Sequence, residues 1–364
     1  MPTHAQLTVT LALVAGSAHG LPTNMQAFGR KSWLSRMAFS DAWPVPSPGA
    51  IHSQFGPLPA NDTGCELLLQ VAFSSVNPSD VHPSMAKSGT FPKAAGSDVA
   101  GTVIATSGNC TRLQMGDAVF GDIGANTHIL KTSERTKELG AYAQFAVALE
   151  GQVAKVPDGI GLAEAGSLPK VALTSYKALV WYARMASRPS GTRVLILGGS
   201  SGTGSVGIQM AKRAFGITTN VTATTSQPNF PYVHSLGADE LIDYKRDDWW
   251  EVLADGSMDV VYDCVGEHGT GARAVAKLRP GGSYVTITGA VCGLEMIRSL
   301  LLTCGLTPCS LLCVCVCVHC SHLHLSPRVC VCVCGAAGER SSATKRRAAH
   351  VHQLGHQPRE RAVA

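Results

Sequence analysis

Cysteine is nearly absent from the first 290 of the 364 residues, where Cys65, Cys110 and Cys264 stand alone. Three scattered thiols make neither a disulfide framework nor a zinc site. Charge is also scarce, at 15% of residues, while hydrophobic residues reach 45%. That balance excludes a disordered chain, and the length accommodates two domains with proper cores. The net charge of +5 is partly a property of residues 339–364, where six Lys and Arg face two Glu. The body is close to neutral, which speaks against a nucleic-acid surface. Lys345-Arg346-Arg347 reads as a solvated tail, with a short basic address as the alternative.

Acid is missing from residues 21–40, which carry Arg30, Lys31, Arg36 and several serines. Organelle transit segments have this composition. Before it, Leu7 to Ala18 is an apolar run too short to span a bilayer, ending near Ala18-His19-Gly20, a signal-peptidase-like site. A signal followed by a transit-like stretch suggests a bipartite organelle address, plastid or mitochondrial. Secretion is the competing reading, with sequons at Asn61, Asn109 and Asn220 that permit glycosylation. Residues 1–40 are set apart from the fold as a targeting segment.

What is there is organised around Arg193 to Phe215, RVLILGGSSGTGSVGIQMAKRAF. Val194 to Leu197 is an apolar run suited to a buried parallel strand. Val206, Ile208, Met210 and Ala211 follow at helical spacing. Between them lies Gly202-Thr203-Gly204-Ser205-Val206-Gly207, a G-x-G-x-x-G. In that setting the first glycine is expected to permit the turn, the second to let backbone approach a pyrophosphate, and the third to let helix and strand pack closely. The helix N-terminus then offers free N–H groups and a positive dipole end to phosphates.

Upstream, short strands punctuated by glycine (66–73, 96–104, 116–120, 140–145) indicate a small antiparallel barrel. Ala163 to Trp181 reads as helix, broken by Pro169. Downstream, strands at 220–225, 241–244, 258–263 and 283–288 alternate with helices, the pattern of a doubly wound parallel sheet. The expected class is therefore α/β, with boundaries at 1–40 (targeting), 41–170 (barrel), 171–290 (dinucleotide domain) and 291–364 (tail).

Several pieces, in order and spacing, carry a resemblance: Val76-Asn77-Pro78-Ser79-Asp80, Gly96-Ser97-Asp98-Val99-Ala100-Gly101, Gly140-Ala141-Tyr142, Ser167-Leu168-Pro169, Gly198 to Gly204, Leu236-Gly237-Ala238-Asp239 and Asp263-Cys264-Val265-Gly266. Over about residues 45–290 the chain resembles the medium-chain dehydrogenase/reductase superfamily, in its zinc-free quinone oxidoreductase and enoyl reductase branch. It is similar in particular to the reticulon-4-interacting mitochondrial oxidoreductases. The resemblance implies a GroES-like barrel plus a Rossmann domain, and reduction of a quinone or an α,β-unsaturated carbonyl. It also implies a homodimer, were the C-terminal part complete.

The resemblance places Asn77 and Asp80 at the substrate and nicotinamide cleft, and Thr174, Gly199, Ser200, Gly202, Thr203, Gly204, Asp263 and Val265 along the cofactor. Asn77 and Asp80 also read as formers of an Asx-type turn beside Pro78. Tyr142 is a candidate hydroxyl donor, with a core or barrel-surface tyrosine as the competing reading. Zinc relatives carry a ligand Cys where Val76-Asn77 stands here, and Gly-His-Glu where Gly96-Ser97-Asp98 stands; about three protein ligands are needed, so no metal is expected. His82 reads as an ordinary polar histidine. Another absence bears on the cofactor: no Asp or Glu occurs from Gly202 to Ala238. An NAD enzyme of this fold uses an acid about 20 residues beyond the first glycine. Thr224-Thr225-Ser226 instead leaves hydroxyls for a 2′-phosphate, which the resemblance lines with Ser226 and Tyr244. The lysine that relatives place after the serine is missing, with Asn229-Phe230-Pro231 in its stead. The expectation is NADPH, held less tightly.

After Gly289-Ala290 the resemblance stops. Cys313 to Val318 and Val329 to Cys334 alternate Val and Cys, as a GT-dinucleotide repeat encodes in one frame. A read-through stretch is one reading. A soft-metal site over Cys313 to His324 is another. A membrane helix over the uncharged run 299–318 is the third, opposed by Pro308 and the β-favouring Val-Cys run. The expected architecture is thus C-terminally incomplete, and a cofactor-binding chain without catalysis is the alternative to an enzyme.

Overall fold

The computed structural model describes residues 21–30, 38–46, 65–81, 93–108, 110–124, 140–215 and 218–287, and two strands at 311–316 and 331–336. They form two compact units, one built on residues 21–74 and 93–162, the other on 75–81 and 163–336. The short segment with Asn77 and Asp80 therefore groups with the second unit, across the expected boundary at 170.

The first unit holds β1 (Asn24–Arg30), β2 (Ala38–Pro44), β3 (Glu66–Phe73), β4 (Lys93–Ala94), β5 (Asp98–Ser107), β6 (Ala118–Asp122), β7 (Phe145–Leu149) and β8 (Val153–Lys155). They make two antiparallel sheets, ordered β7-β3-β5-β6-β8 and β2-β1-β4. The near-continuous apolar run of β3 is explained by burial on both faces. Leu67, Leu69 and Val71 pack with Val99, Val103 and Val119, while Leu68 packs with Met25, Ala27, Trp43 and Phe145. Met25 and Ala27 belong to β1, so part of the segment set apart as 1–40 is core of this unit. Arg/Ser composition without acid imitates a transit segment, yet it is silent on which alternate side chains a partner sheet covers.

The same unit corrects the reading of its cysteines. Cys65 and Cys110 form a disulfide with their Cα atoms 4.8 Å apart. Antiparallel pairing of β3 with β5, in a register that sets Glu66 opposite Ser107, brings the two together from 45 positions apart. Beside the bridge, the Glu150 carboxylate accepts hydrogen bonds from the N–H groups of Thr111, Arg112 and Leu113 at 2.7–3.0 Å. Burial opposes the Glu150 charge, but these three amides and the Arg112 guanidinium outweigh it and hold the carboxyl below its usual value. A depressed folded pKa contributes stability that is present above the unfolded value and lost as pH falls through the folded one. We therefore expect Glu150→Gln to flatten the acid side of the stability curve, below about pH 4.5, in thermal melts across pH 3–7. Parallel curves for variant and parent would refute this.

The second unit contains α1 (Pro78–Val81), α2 (Leu162–Gly166), α3 (Pro169–Tyr176), β9 (Thr192–Leu197), α4 (Gly202–Arg213), β10 (Thr219–Thr225), α5 (Phe230–Ser235), β11 (Glu240–Asp243), α6 (Trp249–Val252), β12 (Met258–Asp263), α7 (Thr270–Lys277) and β13 (Leu278–Thr286). The helix expected over 163–181 divides where Pro169 takes the first position of α3, and α3 runs on into a π-helical turn, Lys177–Tyr182. Five parallel strands are ordered β11-β10-β9-β12-β13, so the sheet winds outward both ways from β9. Val194 and Ile196 face Ile208, Ala211, Val221 and Tyr262, whereas Leu195 and Leu197 face Trp249, Met258, Val261 and Tyr284. Strand β9 is buried on both sides, as its unbroken apolar run requires.

The Val-Cys stretches form β14 (Leu311–Val316) and β15 (Val331–Ala336), an antiparallel pair with Cys313 opposite Cys334 and Cys315 opposite Cys332. Residues 311–316 are thus extended where a membrane helix was one reading. Among the described residues no helix is long and apolar enough to cross a membrane. The rest of 299–318 and of the soft-metal stretch, like His82, lies outside the described residues.

Candidate functional site

The site is built at the carboxyl ends of β9, β10 and β12, where the order of parallel strands reverses. Chain leaving β9 turns at Gly198, whose φ of +81° an L side chain rarely adopts. Thr224 stitches this turn to β10: its Oγ1 accepts from Gly198 N at 2.9 Å and its carbonyl from Gly199 N at 2.8 Å. Ser201 then caps α4, its Oγ accepting from Gly204 N at 3.0 Å. The amides of Gly202 and Thr203 are left without a protein partner among the described residues, at the positive end of a twelve-residue helix. A helix start of this kind suits an anion.

The glycine roles expected from the sequence are partly reassigned. Gly202 is already the first residue of α4, and the turn belongs to Gly198. Gly204 is required by the protein itself: a Cβ there would stand 2.1 Å from the Gly198 carbonyl oxygen. Gly207 does what its place in the motif implies, since a Cβ would meet the Tyr262 ring of β12 at 2.9 Å. A G-x-G-x-x-G string fixes spacing but leaves open which glycine bends and which lies against a neighbour.

At the end of β10 the polar groups form one hydrogen-bonded cluster. Thr225 Oγ1 donates to Ser200 Oγ at 3.0 Å, and Asn229 Nδ2 reaches both Ser200 Oγ and Ser226 Oγ at 3.3 Å. Ser200 and Ser226 are thus brought together, while Thr224 is consumed in holding the turn. Tyr244, just past β11, is 55% exposed. Asn229 was noted from sequence only as a missing lysine; its bridging role depends on a 3-10 turn, Gln227–Asn229, that folds it back on Ser226.

Asp263 ends β12. Its Oδ1 accepts from Val265 N and Gly266 N, both at 2.9 Å, and its Oδ2 from the Tyr284 hydroxyl at 2.8 Å. Fully buried and held by these donors, it shapes the turn after β12. The residue this turn displays is Val265, 47% exposed, whose Cγ2 lies 2.8 Å from where a Gly198 Cβ would be. Tyr284 carried no motif signal, because its partner is supplied by strand adjacency alone. Between them, burial pushes the Cys264 thiol up to about 12.

Thr174 lies half-buried on α3, beside Ser175, whose Oγ donates to the Thr203 carbonyl at 2.9 Å and ties α3 to the first turn of α4. In the same unit, Asp80 Oδ2 accepts from Asn77 N at 2.9 Å and Asp80 N donates to Asn77 O at 2.9 Å. The two are joined as turn formers, and both are buried. Tyr142 belongs to the other unit, where its ring rests on Gly96; a Cβ at Gly96 would lie 2.4 Å from Cδ1. This contact explains why Gly96 precedes Ser97-Asp98.

The donors for a catalytic zinc do not fit. Val76-Asn77 and Ser97-Asp98 supply neither thiol nor imidazole. Among the described residues one group gathers metal-type ligands, Cys65, Cys110 and Glu150, but its sulfurs are bonded to each other and its carboxylate is taken by amides.

Residues 63–158 match the alcohol dehydrogenase GroES-like domain, and residues 202–304 match the zinc-binding dehydrogenase domain. A 2-methylene-furan-3-one reductase of Solanum lycopersicum is 36% identical over 230 residues, 62% of this chain and 55% of that protein. A chloroplastic NADPH-dependent alkenal/one oxidoreductase of Arabidopsis thaliana is 33% identical over 230 residues, 62% of this chain and 56% of that protein. The chain therefore spans about half the length of these curated relatives. The quinone oxidoreductase structure from Coxiella burnetii shares the fold, with a TM-score of 0.57 at 23% identity, covering 76% of this chain and 79% of that one.

Proposed function

Because the chain belongs to the medium-chain dehydrogenase/reductase superfamily, we propose that it is an NADPH-dependent reductase of α,β-unsaturated carbonyls or quinones that works without zinc. The observation that carries this is the pairing of a capped, glycine-lined helix N-terminus with an acid-free, hydroxyl-rich end of β10. The first suits a pyrophosphate and the second a 2′-phosphate, where an Asp or Glu would repel it. When bound, the nicotinamide supplies the hydride. The protein's part is binding and orientation. Gly202 and Thr203 amides face the phosphates, Ser200, Thr225, Ser226 and Asn229 the ribose phosphate, and Val265 forms a wall beside the glycine turn. Asn77, Asp80 and Tyr142 remain proposals for the acceptor side, each with a structural task of its own.

The names of the tomato and Arabidopsis relatives support the acceptor class. The Arabidopsis relative's plastid location favours an organelle address. The test is a fluorescence titration with NADPH and NADH, followed by turnover against a panel of enones and quinones. Tighter NADPH binding with chelator-resistant turnover is expected. Tighter NADH binding, or activity lost to chelator and restored by zinc, would overturn the reading. NADPH binding without turnover would favour a cofactor-binding protein that lacks catalysis.

A further inference from the structure

The 2′-phosphate reading above leaves a charge problem. A phosphate monoester carries close to two negative charges, and the cluster that would meet it (Ser200, Thr225, Ser226, Asn229) is neutral. In this fold an NADP-binding chain places a cation near the end of the second strand. The structure offers one from the neighbouring strand. β10 and β11 run parallel with Thr225 opposite Asp243, so residues 244–246 emerge beside Ser226 at the same edge of the sheet. Asp243 then holds the chain in a tight turn there: its Oδ1 accepts from Lys245 N at 3.1 Å and its carbonyl from Arg246 N at 2.9 Å. This turn presents Lys245 and Arg246 at the rim, both exposed, neither side chain ion-paired among the described residues. Lys212, by contrast, is held by Asp239 and the Thr219 carbonyl, at the opposite end of β10. Asp247 and Asp248 follow, both exposed, Asp247 donating its N–H to the Asp243 carbonyl at 2.9 Å and Asp248 standing at the N-cap of α6.

We infer that Lys245 and Arg246 are the specificity-determining cations of this chain, supplying from the end of β11 the charge that Asn229 does not. Asn229 orders the hydroxyls, and the two cations pair with the phosphate across them. The inference rests on the NADPH reading, and the experiment separates the two. NADPH, NADH and 2′,5′-ADP are titrated by fluorescence and displacement into the full chain and into Lys245→Ala, Arg246→Ala and the double variant, at low and high KCl. The double variant should bind NADPH and 2′,5′-ADP at least tenfold more weakly, with NADH affinity unchanged within twofold and a flatter salt dependence. Each single variant should lie between, and exchanging the cations (Lys245→Arg, Arg246→Lys) should preserve binding. Equal losses for NADPH and NADH would mean a structural role and overturn the inference. Unchanged NADPH affinity would overturn it too, while leaving the NADPH reading intact. A parent chain that prefers NADH would overturn both.

Discussion

Gly204→Ala should weaken cofactor binding by roughly a hundredfold while leaving the barrel unit folded. A methyl at this position would stand 2.1 Å from the Gly198 carbonyl oxygen, and the obstruction is backbone, with no flexible side chain to move aside. To accommodate it, α4 must shift away from the turn. That shift separates the Ser201 cap from Gly204 N and misaims the Gly202 and Thr203 amides, the groups that would meet the phosphates. Overpacking of this kind costs about 3 kcal/mol at the upper end, which corresponds to roughly a hundredfold in affinity. The measurement is NADPH titration by fluorescence, with circular dichroism as a check that the sheet persists. Gly151→Ala is the matching control, since a Cβ there meets nothing within 4 Å, and it should bind as the parent does. A Gly204→Ala protein that retains parental affinity would show that the turn tolerates displacement and that the amides are not aimed by it.

Reduction of the Cys65–Cys110 bridge should give the largest change in stability. The bridge closes a loop of 45 positions, and chain-entropy bookkeeping assigns such a loop about 4 kcal/mol. For a unit of this size that is a fall in melting temperature of roughly 15 °C. The loss should fall on the barrel unit, whose first long strand begins next to Cys65. Cys65→Ser/Cys110→Ser should melt lower than the parent and should no longer respond to dithiothreitol, while the parent does. NADPH binding, which uses the other unit, should be retained at temperatures below the transition. Equal melting of parent and double variant under oxidising conditions would remove the bridge from the stability of this protein. The bridge also bears on location, because disulfides persist where the surroundings are oxidising. Its presence is the reason to assay the protein without reductant first.

How much of this could be read from residues alone depends on whether the signal was local. The parallel sheet was legible because β9 is an unbroken apolar run, buried on both faces, followed at once by glycines and helical spacing. The end of β10 was legible as well, because an absence of acid over 37 positions needs no structure to be noticed. That Ser200 and Ser226 share Asn229 Nδ2 was not legible, because it depends on the turn after β10. What was not legible came from strand adjacency. Cys65 and Cys110 look unrelated until β3 pairs with β5. Tyr284 carries no motif until β13 lies beside β12 and its hydroxyl reaches Asp263. Met25 and Ala27 sit in a stretch composed like an address, and become core only when a second sheet covers Leu68.

The sequence by itself determined the fold class, the family, the glycine turn and the acid-free end of β10, since each is written in contiguous residues with their own backbone preferences. Only the tertiary structure decided which glycine turns and which is crowded, that Asp263 is held by Val265 N, Gly266 N and Tyr284, and that Thr225 pairs with Asp243 at the strand ends. Those outcomes depend on hydrogen bonds and contacts between strands far apart in the chain, and no local pattern encodes a neighbour that folding has yet to supply.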